Sequence, residues 1–417
     1  MSVTPTRAAA QSLPTMIRLG AMMAGASTVD ALSASLLPIT ARHFTDSVWL
    51  IGVMVAANRV CGFLVQPYAA WKSDRLPGRR GALLRVAWPA TLVSVGVLGA
   101  LPMLVPAEYA TTLAAVALLF LVNLALQVFL DICYGSGDPL YGDTFVAGEI
   151  GRANGVRMIA STLATFAMTC VFVPLADRHE FYPYLGAMVF VAVSWVVAKR
   201  YLRERAPAAL PPRERYAPWR PLAELRDPQT RNVAIVASAV LVSHALTEML
   251  HALFVTETLG LSMTALGWTM TGSLVLGLAC AYPIGMLIDR CGARAVLAVG
   301  FVLLALVELA FVFWVKDIVT LTACLVGFKI AWVSVHLPVL PLLFHNTPPA
   351  RRGSIFAAVQ MTRAGVTSVA TILTGFLATM VSSYRVCYFV AALVGVVGVI
   401  WAMRLSRVDR WPTPQPA

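Results

Sequence analysis

Gly62–Gly81 reads GFLVQPYAAWKSDRLPGRRG, apolar in its first half and densely charged in its second. Lys72, Asp74, Arg75, Arg79 and Arg80 fall within nine residues, and long apolar runs flank them on both sides. The whole chain shares that character: of 417 residues, 59% are hydrophobic and 12% charged, with mean hydropathy +0.77. A soluble domain is about a quarter charged. A chain this poor in charge has lipid as its main solvent, and the expected fold class is an all-α membrane protein.

A helix crosses a bilayer with about 20 apolar residues. Twelve segments qualify, at 16–40, 49–71, 83–104, 111–133, 154–175, 183–203, 232–257, 264–288, 293–315, 319–344, 354–379 and 385–405. The first is too long, and its leader too polar, for a cleaved signal peptide, so it is expected to stay as an anchor. Lysine and arginine in the loops set orientation. With the N-terminus inside, the cytoplasmic side receives Arg7, Arg18, the 72–85 cluster, Arg152, Arg157, the 199–231 segment, Arg290, Arg294, Arg351, Arg352, Arg404, Arg407 and Arg410. The outside receives only Arg42, Arg178, Lys316 and Arg385. Both termini are therefore expected in the cytoplasm, with the protein in the cell's inner membrane. The net charge of +12 is spread over cytoplasmic loops and calls for no nucleic acid. The seven cysteines lack metal-like spacing and read as apolar fillers of the spans.

The long polar stretch KRYLRERAPAALPPRERYAPWRPLAELRDPQTR, Lys199–Arg231, divides the spans six and six. The expected organisation is an N-terminal half over 1–198, a cytoplasmic linker over 199–231 and a C-terminal half over 232–417. Corresponding loops in the halves agree. SDRLPGRRG follows the second span and GMLIDRCGAR, Gly285–Arg294, the eighth; EIGRANGVRM precedes the fifth span and PPARRGSIFA the eleventh. Two related halves of six spans account for this.

These loops resemble the G-x-L-x-D-R-x-G-x-R signature of the major facilitator superfamily. The second copy matches it fully, at Gly285, Leu287, Asp289, Arg290, Gly292 and Arg294. The first has Ala70 for the leading glycine and the extra Pro77 before Gly78. The resemblance implies twelve helices in two pseudo-symmetric halves around a central cavity lined by helices one, four, seven and ten. It also implies that Asp74 faces the positive start of the eleventh helix, near Arg352 and Gly353, and helps latch the cytoplasmic side. Arg75, Arg79 and Arg80 then add anchoring and can pair across the halves, and with Asp74 and Asp289 anchoring the cytoplasmic gate, Asp74→Asn should lower turnover while leaving the protein in the membrane. The first third of the chain further resembles sucrose–proton and glycoside–cation symporters, through Arg59, Pro67 and Asp74 and through DIC, Asp131–Cys133. Two aspartates that bind the cation in one branch of that group fall here on Gly62 and Gln66, which weighs against sodium.

An ionised side chain at the bilayer centre costs about 2.5–3.5 kcal/mol or more, so it normally has a partner or a wet cavity. Asp30, Arg59 and Asp131 lie in spans one, two and four. Span seven carries His244, Glu248 and His251, spaced to share one helix face. Lys329 and His336 share a face of span ten, and Arg363 lies in span eleven. Glu308 is the exception in a span not expected to line the cavity. Arg59, Asp131 and Arg363 could equally be structural ion pairs, with Arg363 also suited to an anionic group. The His-x3-Glu-x2-His stripe suits Zn or Fe by ligand type, but metal sites draw ligands from several elements, and no metal is expected. No G-x4-G-K-[ST] loop and no nucleophile–base constellation occurs, so neither ATP drive nor enzyme activity is expected, and no cofactor.

The expected function is secondary transport by alternating access of a small polar solute, sugar or glycoside-like, coupled to protons. The expected partners are solute, proton and lipid, and the chain is expected to work as a monomer. Export of an amphipathic compound, or a non-transporting sensor or assembly protein on the same fold, are the alternatives.

Overall fold

The computed structural model describes residues 13–73, 79–144, 150–201, 217, 219–339, 342 and 352–405. Among these residues, twelve long helices stand where the apolar runs predict them. They are α1 Leu13–Ser35, α2 Val48–Ser73, α3 Arg79–Leu104, α4 Leu113–Thr144, α5 Ile150–Ala167, α6 Tyr182–Tyr201, α7 Pro228–Leu253, α8 Met263–Cys291, α9 Ala293–Phe313, α10 Ile318–His336, α11 Arg352–Val381 and α12 Arg385–Arg404. Among the described residues, eleven regions, one in each of α2 to α12, combine the length and apolarity of a membrane span. The chain is a multi-pass integral membrane protein. The twelfth long helix, α1, carries Ser27, Thr28, Asp30, Ser33 and Ser35 among its 23 residues, and 14 of them are buried. It faces protein more than lipid and has less need of an apolar surface.

Helix packing repeats with a period of six. In the first half α1 packs on α5 and α6, α2 on α4, and α3 on α4 and α6; in the second, α7 packs on α11 and α12, α8 on α10, and α9 on α10 and α12. The halves meet where α2 crosses α11, where α8 meets the end of α5, and where α1 approaches α7. In α7, 71% of the span window is buried, more than in any other span, which places it inside the bundle.

Local chemistry fixes the ends. Asp227 and Ser262 cap α7 and α8 by accepting from Thr230 N and Ala265 N. Asp317 caps α10 through the Val319 and Thr320 amides at 3.0 and 2.9 Å. Bonds from Thr320 hold its carboxyl below the ordinary range. Arg385 donates to the carbonyls of Phe311, Val312 and Val315, closing the C-terminus of α9 with a cation. Gly292 joins α8 to α9 at φ +84°, a left-handed conformation that favours glycine.

Three features escape a span-by-span reading. Pro38, in the first turn of Leu37–Arg42, starts a separate short helix just after α1. Helices α5 and α7 both widen into π turns, at Met168–Phe172 and Phe254–Thr258, a geometry frequent at functional sites. Helix α4 continues to Thr144, past the apolar run, because a helix does not need to end where the membrane does.

Candidate functional site: a two-lobed cavity between the halves

A cavity of about 370 Å³ lies between the halves, lined by α1, α5, α7, α8 and α10, with Phe311 and Tyr388 from the helices behind. A second lobe of about 230 Å³ reaches toward α2, α4 and α11. Asp30, Ala34, His244 and Glu248 line both lobes and form the partition between them. The combined space falls in the range of small-molecule sites.

Glu248 joins the halves. Its Oε2 accepts from Arg59 Nη2 of α2 at 3.2 Å and from His244 Nε2, one turn back on α7, at 3.2 Å. Both side chains of the Arg59–Glu248 pair keep about a third of their surface exposed, at 34% and 31%, so the pair sits in a wet cavity. The His244 ring packs on Trp332 with centroids 4.2 Å apart. Asp30 accepts from the Tyr134 hydroxyl of α4. Lys329 of α10 faces the larger lobe.

Not every expected residue converges here. His251 lines the larger lobe, but its Nδ1 meets the Tyr388 hydroxyl at 3.1 Å, so the His244–Glu248–His251 stripe does not close on one point. Among the described residues, no three His, Cys, Asp or Glu side chains gather as metal ligands. Asp131 is buried, and its Oδ1 accepts from Gln66 Nε2 at 2.6 Å, tying α4 to α2 away from both lobes. Arg363 bonds Gln360 on its own helix at 2.8 Å. His336 is exposed and stacks on Trp332 at 5.2 Å. Neither Arg363 nor His336 lines a described lobe. Glu308 is fully buried and accepts from Ser243 Oγ at 2.5 Å, behind α7.

Of the cytoplasmic set, Asp74 and Arg75 lie outside the described residues, as do the side chains of Arg79 and Asp289. Arg80 is buried in the first turn of α3. Gly285 has nothing within 4 Å of where a side chain would stand, and Arg290 is exposed. Arg294 donates to the Met403 carbonyl of α12.

The opposite face, which the charge bias assigns to the outside, is closed by contacts that the loop composition did not reveal. Arg42 Nε and Nη2 reach the two oxygens of Glu257 at 2.8 and 3.0 Å, and Nη2 also reaches Tyr384 OH at 2.7 Å. Tyr384 donates to Glu257 Oε2 at 2.5 Å. Asp177, at the end of the first half's fifth span, accepts from Met263 N, Thr264 N and Thr264 Oγ1 at the start of α8. Beneath these clamps the backbones touch. A Cβ on Gly375 would stand 2.7 Å from Val48 O and 3.2 Å from Gly52 Cα; one on Gly267 would stand 2.6 Å from Thr169 O. Gly52 and Gly267 are each the fifth residue of their helix, so the closure follows the pseudo-symmetry.

Burial opposes the charge of Arg42, but the bonds and charges of Glu257 and Tyr384 together outweigh it and lift the guanidinium above its ordinary value. Burial, with the Glu257 bond, pushes the Tyr384 phenol up to about 12. Both donors therefore hold their protons at neutral and mildly alkaline pH. Arg42→Ala should weaken this half-exposed clamp by about 1 kcal/mol, or about fivefold in the ratio of open to closed outer face. A cysteine at Ala34, labelled from outside, checks it: reactivity should rise by that factor.

The two-half arrangement can be compared with known folds. A crystal structure of a point mutant of the nucleoside transporter NupG superposes with a TM-score of 0.72, covering 94% of this chain and all of that one, at 13% sequence identity. The fold is that of the major facilitator superfamily. The Major Facilitator Superfamily family model also matches residues 235–417, from α7 onward. A sequence search of curated proteins finds no match. In the terms of this fold, the cavity is the space between the two halves, and α1 and α7 are mates under the six-helix repeat, each bringing a carboxylate to the partition.

Proposed function

We propose that the chain is a proton-coupled secondary transporter of the major facilitator superfamily, moving a small polar solute of sugar or glycoside type by alternating access. The observation that supports it best is the position of Glu248: a carboxylate on the partition of a central cavity, bound to an arginine from the other half. Protonating Glu248 removes the charge that holds Arg59. The loss amounts to about 2 kcal/mol for a pair that keeps a third of its surface wet, between the values for buried and exposed pairs. That is about thirtyfold in the balance between states. Proton binding thereby loosens one half from the other, and proton release restores the tie.

Several features accord with this reading. The resemblance to glycoside–cation symporters places the cation site at Gly62, Gln66 and Asp131. Here a Cβ on Gly62 would stand 3.7 Å from Asp131 Oδ1, and Gln66 occupies that oxygen with an amide. One carboxylate and one amide make a poor sodium site, which favours the proton. One structural neighbour is a nucleoside transporter, and nucleosides are glycosides of a base. In this proposal the halves are 1–198 and 232–417, the 199–231 linker and both termini are cytoplasmic, and the monomer works in the inner membrane. The aromatic wall of Phe311, Phe328 and Tyr388 favours one second reading, export of an amphipathic solute.

Proteoliposomes holding the purified chain test this with labelled sugars, sugar acids, glycosides and nucleosides, with and without an inside-alkaline pH gradient. At least one polar solute should accumulate, and only with the gradient. Uptake that ignores the gradient, or none at all, would contradict the proposal. Orientation has its own check: a cysteine at Ala206 in the linker should resist an impermeant maleimide added to intact cells.

A further inference from the structure

We propose that the transported solute carries one negative charge and that Lys329 binds it, an inference that rests on the transport reading above. Among the charged side chains that line the two lobes, Lys329 alone makes no hydrogen bond or ion pair to a described residue. Glu248 lies within electrostatic reach of it but is already shared by Arg59 and His244. The lysine is also held in place. A Cβ on Gly277 of α8 would stand 2.7 Å from both Cγ and Cε of Lys329, so the glycine leaves a flat bed on which the lysine stem lies. Phe328 and Phe311 line the same lobe and offer an apolar surface to the body of the solute.

The charge balance of the lobes points the same way. Asp30 and Glu248 oppose Arg59 and Lys329, a sum of zero with both acids ionised and the histidines of the lobes neutral. His251 is engaged with Tyr388, His244 with Glu248, and Asp131 and Glu308 lie outside the lobes with Gln66 and Ser243. A proton arriving on either partition carboxylate leaves one positive charge uncompensated beside apolar walls, which is costly. A neutral solute cannot offset it, whereas a monoanion on Lys329 does. Proton and anion therefore bind together, and the loaded carrier regains the charge of the empty one. Uptake should follow the pH gradient and not the membrane potential.

Matched acid–amide pairs test the inference on the full-length protein in nanodiscs: glucuronate with glucuronamide, and 4-hydroxyphenylacetate with its amide, titrated calorimetrically. In at least one pair the acid should bind about tenfold tighter than the amide, about 1.4 kcal/mol. Lys329→Gln should remove that preference and Lys329→Arg retain it. Gly277→Leu, which displaces the lysine stem and leaves its charge, should weaken acid binding alone. Equal binding of acid and amide, or a preference that survives Lys329→Gln in protein that elutes and melts as wild type, overturns the inference. Neutral sugars or nucleosides that accumulate with the pH gradient while no acid binds also overturn it and leave the transport reading standing. Failure of every solute, charged or neutral, overturns both.

Discussion

A Glu248→Gln protein is expected to lose accumulation of solute against a gradient while counterflow exchange survives. The amide keeps the shape of the carboxyl group and can still accept from Arg59 and His244, but it takes up and releases no proton. One pH unit is worth 1.36 kcal/mol, so a carrier moving one proton per solute concentrates that solute up to about tenfold for each unit of gradient. The mutant should fall to an inside-to-outside ratio of about one at every gradient. Exchange needs the site and the movement of the halves but no net proton flow, so it should continue. Asp30→Asn is the companion variant, because Asp30 lines both lobes as well. A Glu248→Gln protein that still accumulates in proportion to the gradient would pass the coupling role to Asp30.

The second large effect is expected at the crossing of α2 and α11. A side chain on Gly375 meets Val48 O at 2.7 Å and Trp49 Cα at 3.1 Å, and these backbone atoms cannot turn aside as a flexible side chain would. Gly375→Leu must separate the helices. Overpacking of this kind costs about 1–3 kcal/mol, which disfavours the closed outer face by about five- to 150-fold. Transport turnover should drop accordingly. A cysteine at Ala34, on the partition, should react faster with an impermeant reagent from outside. Gly272, where nothing lies within 4 Å of an added Cβ, is the control: Gly272→Leu should leave both rates near wild type.

Much of the fold was legible in the sequence because lipid imposes a simple rule. Apolar runs of span length must be helices, and their number and the two related loops point to a doubled bundle. The site was legible in part. That Asp30, Glu248 and Lys329 should face a cavity follows from the cost of charge in lipid. Their partners do not, because pairing depends on how each helix is rotated. Arg59 and Glu248 are 189 residues apart, and no local pattern links them. Tyr134 and Tyr388 were invisible as site residues, since a tyrosine in a span reads as apolar until its hydroxyl finds Asp30 or His251. Lys329 and His336 share a helical face by spacing, yet His336 is the last residue of α10 and is exposed, beyond the reach of the lobe. The outer clamp was hidden for another reason. Arg42 and Asp177 look like ordinary loop polarity and Glu257 like the polar end of a span, and their meeting depends on how the helix ends pack, with Glu257 in the π turn at Phe254–Thr258.

Proton movement during solute entry tests the coupling most directly. Proteoliposomes loaded with a pH-sensitive dye, with no imposed gradient, would be given a solute that the carrier accepts. The lumen should acidify as the labelled solute enters, at a fixed ratio of proton to solute, and the Glu248→Gln protein should show solute exchange with no acidification. Solute entry through the wild-type protein with no change in lumenal pH would contradict proton coupling through this cavity.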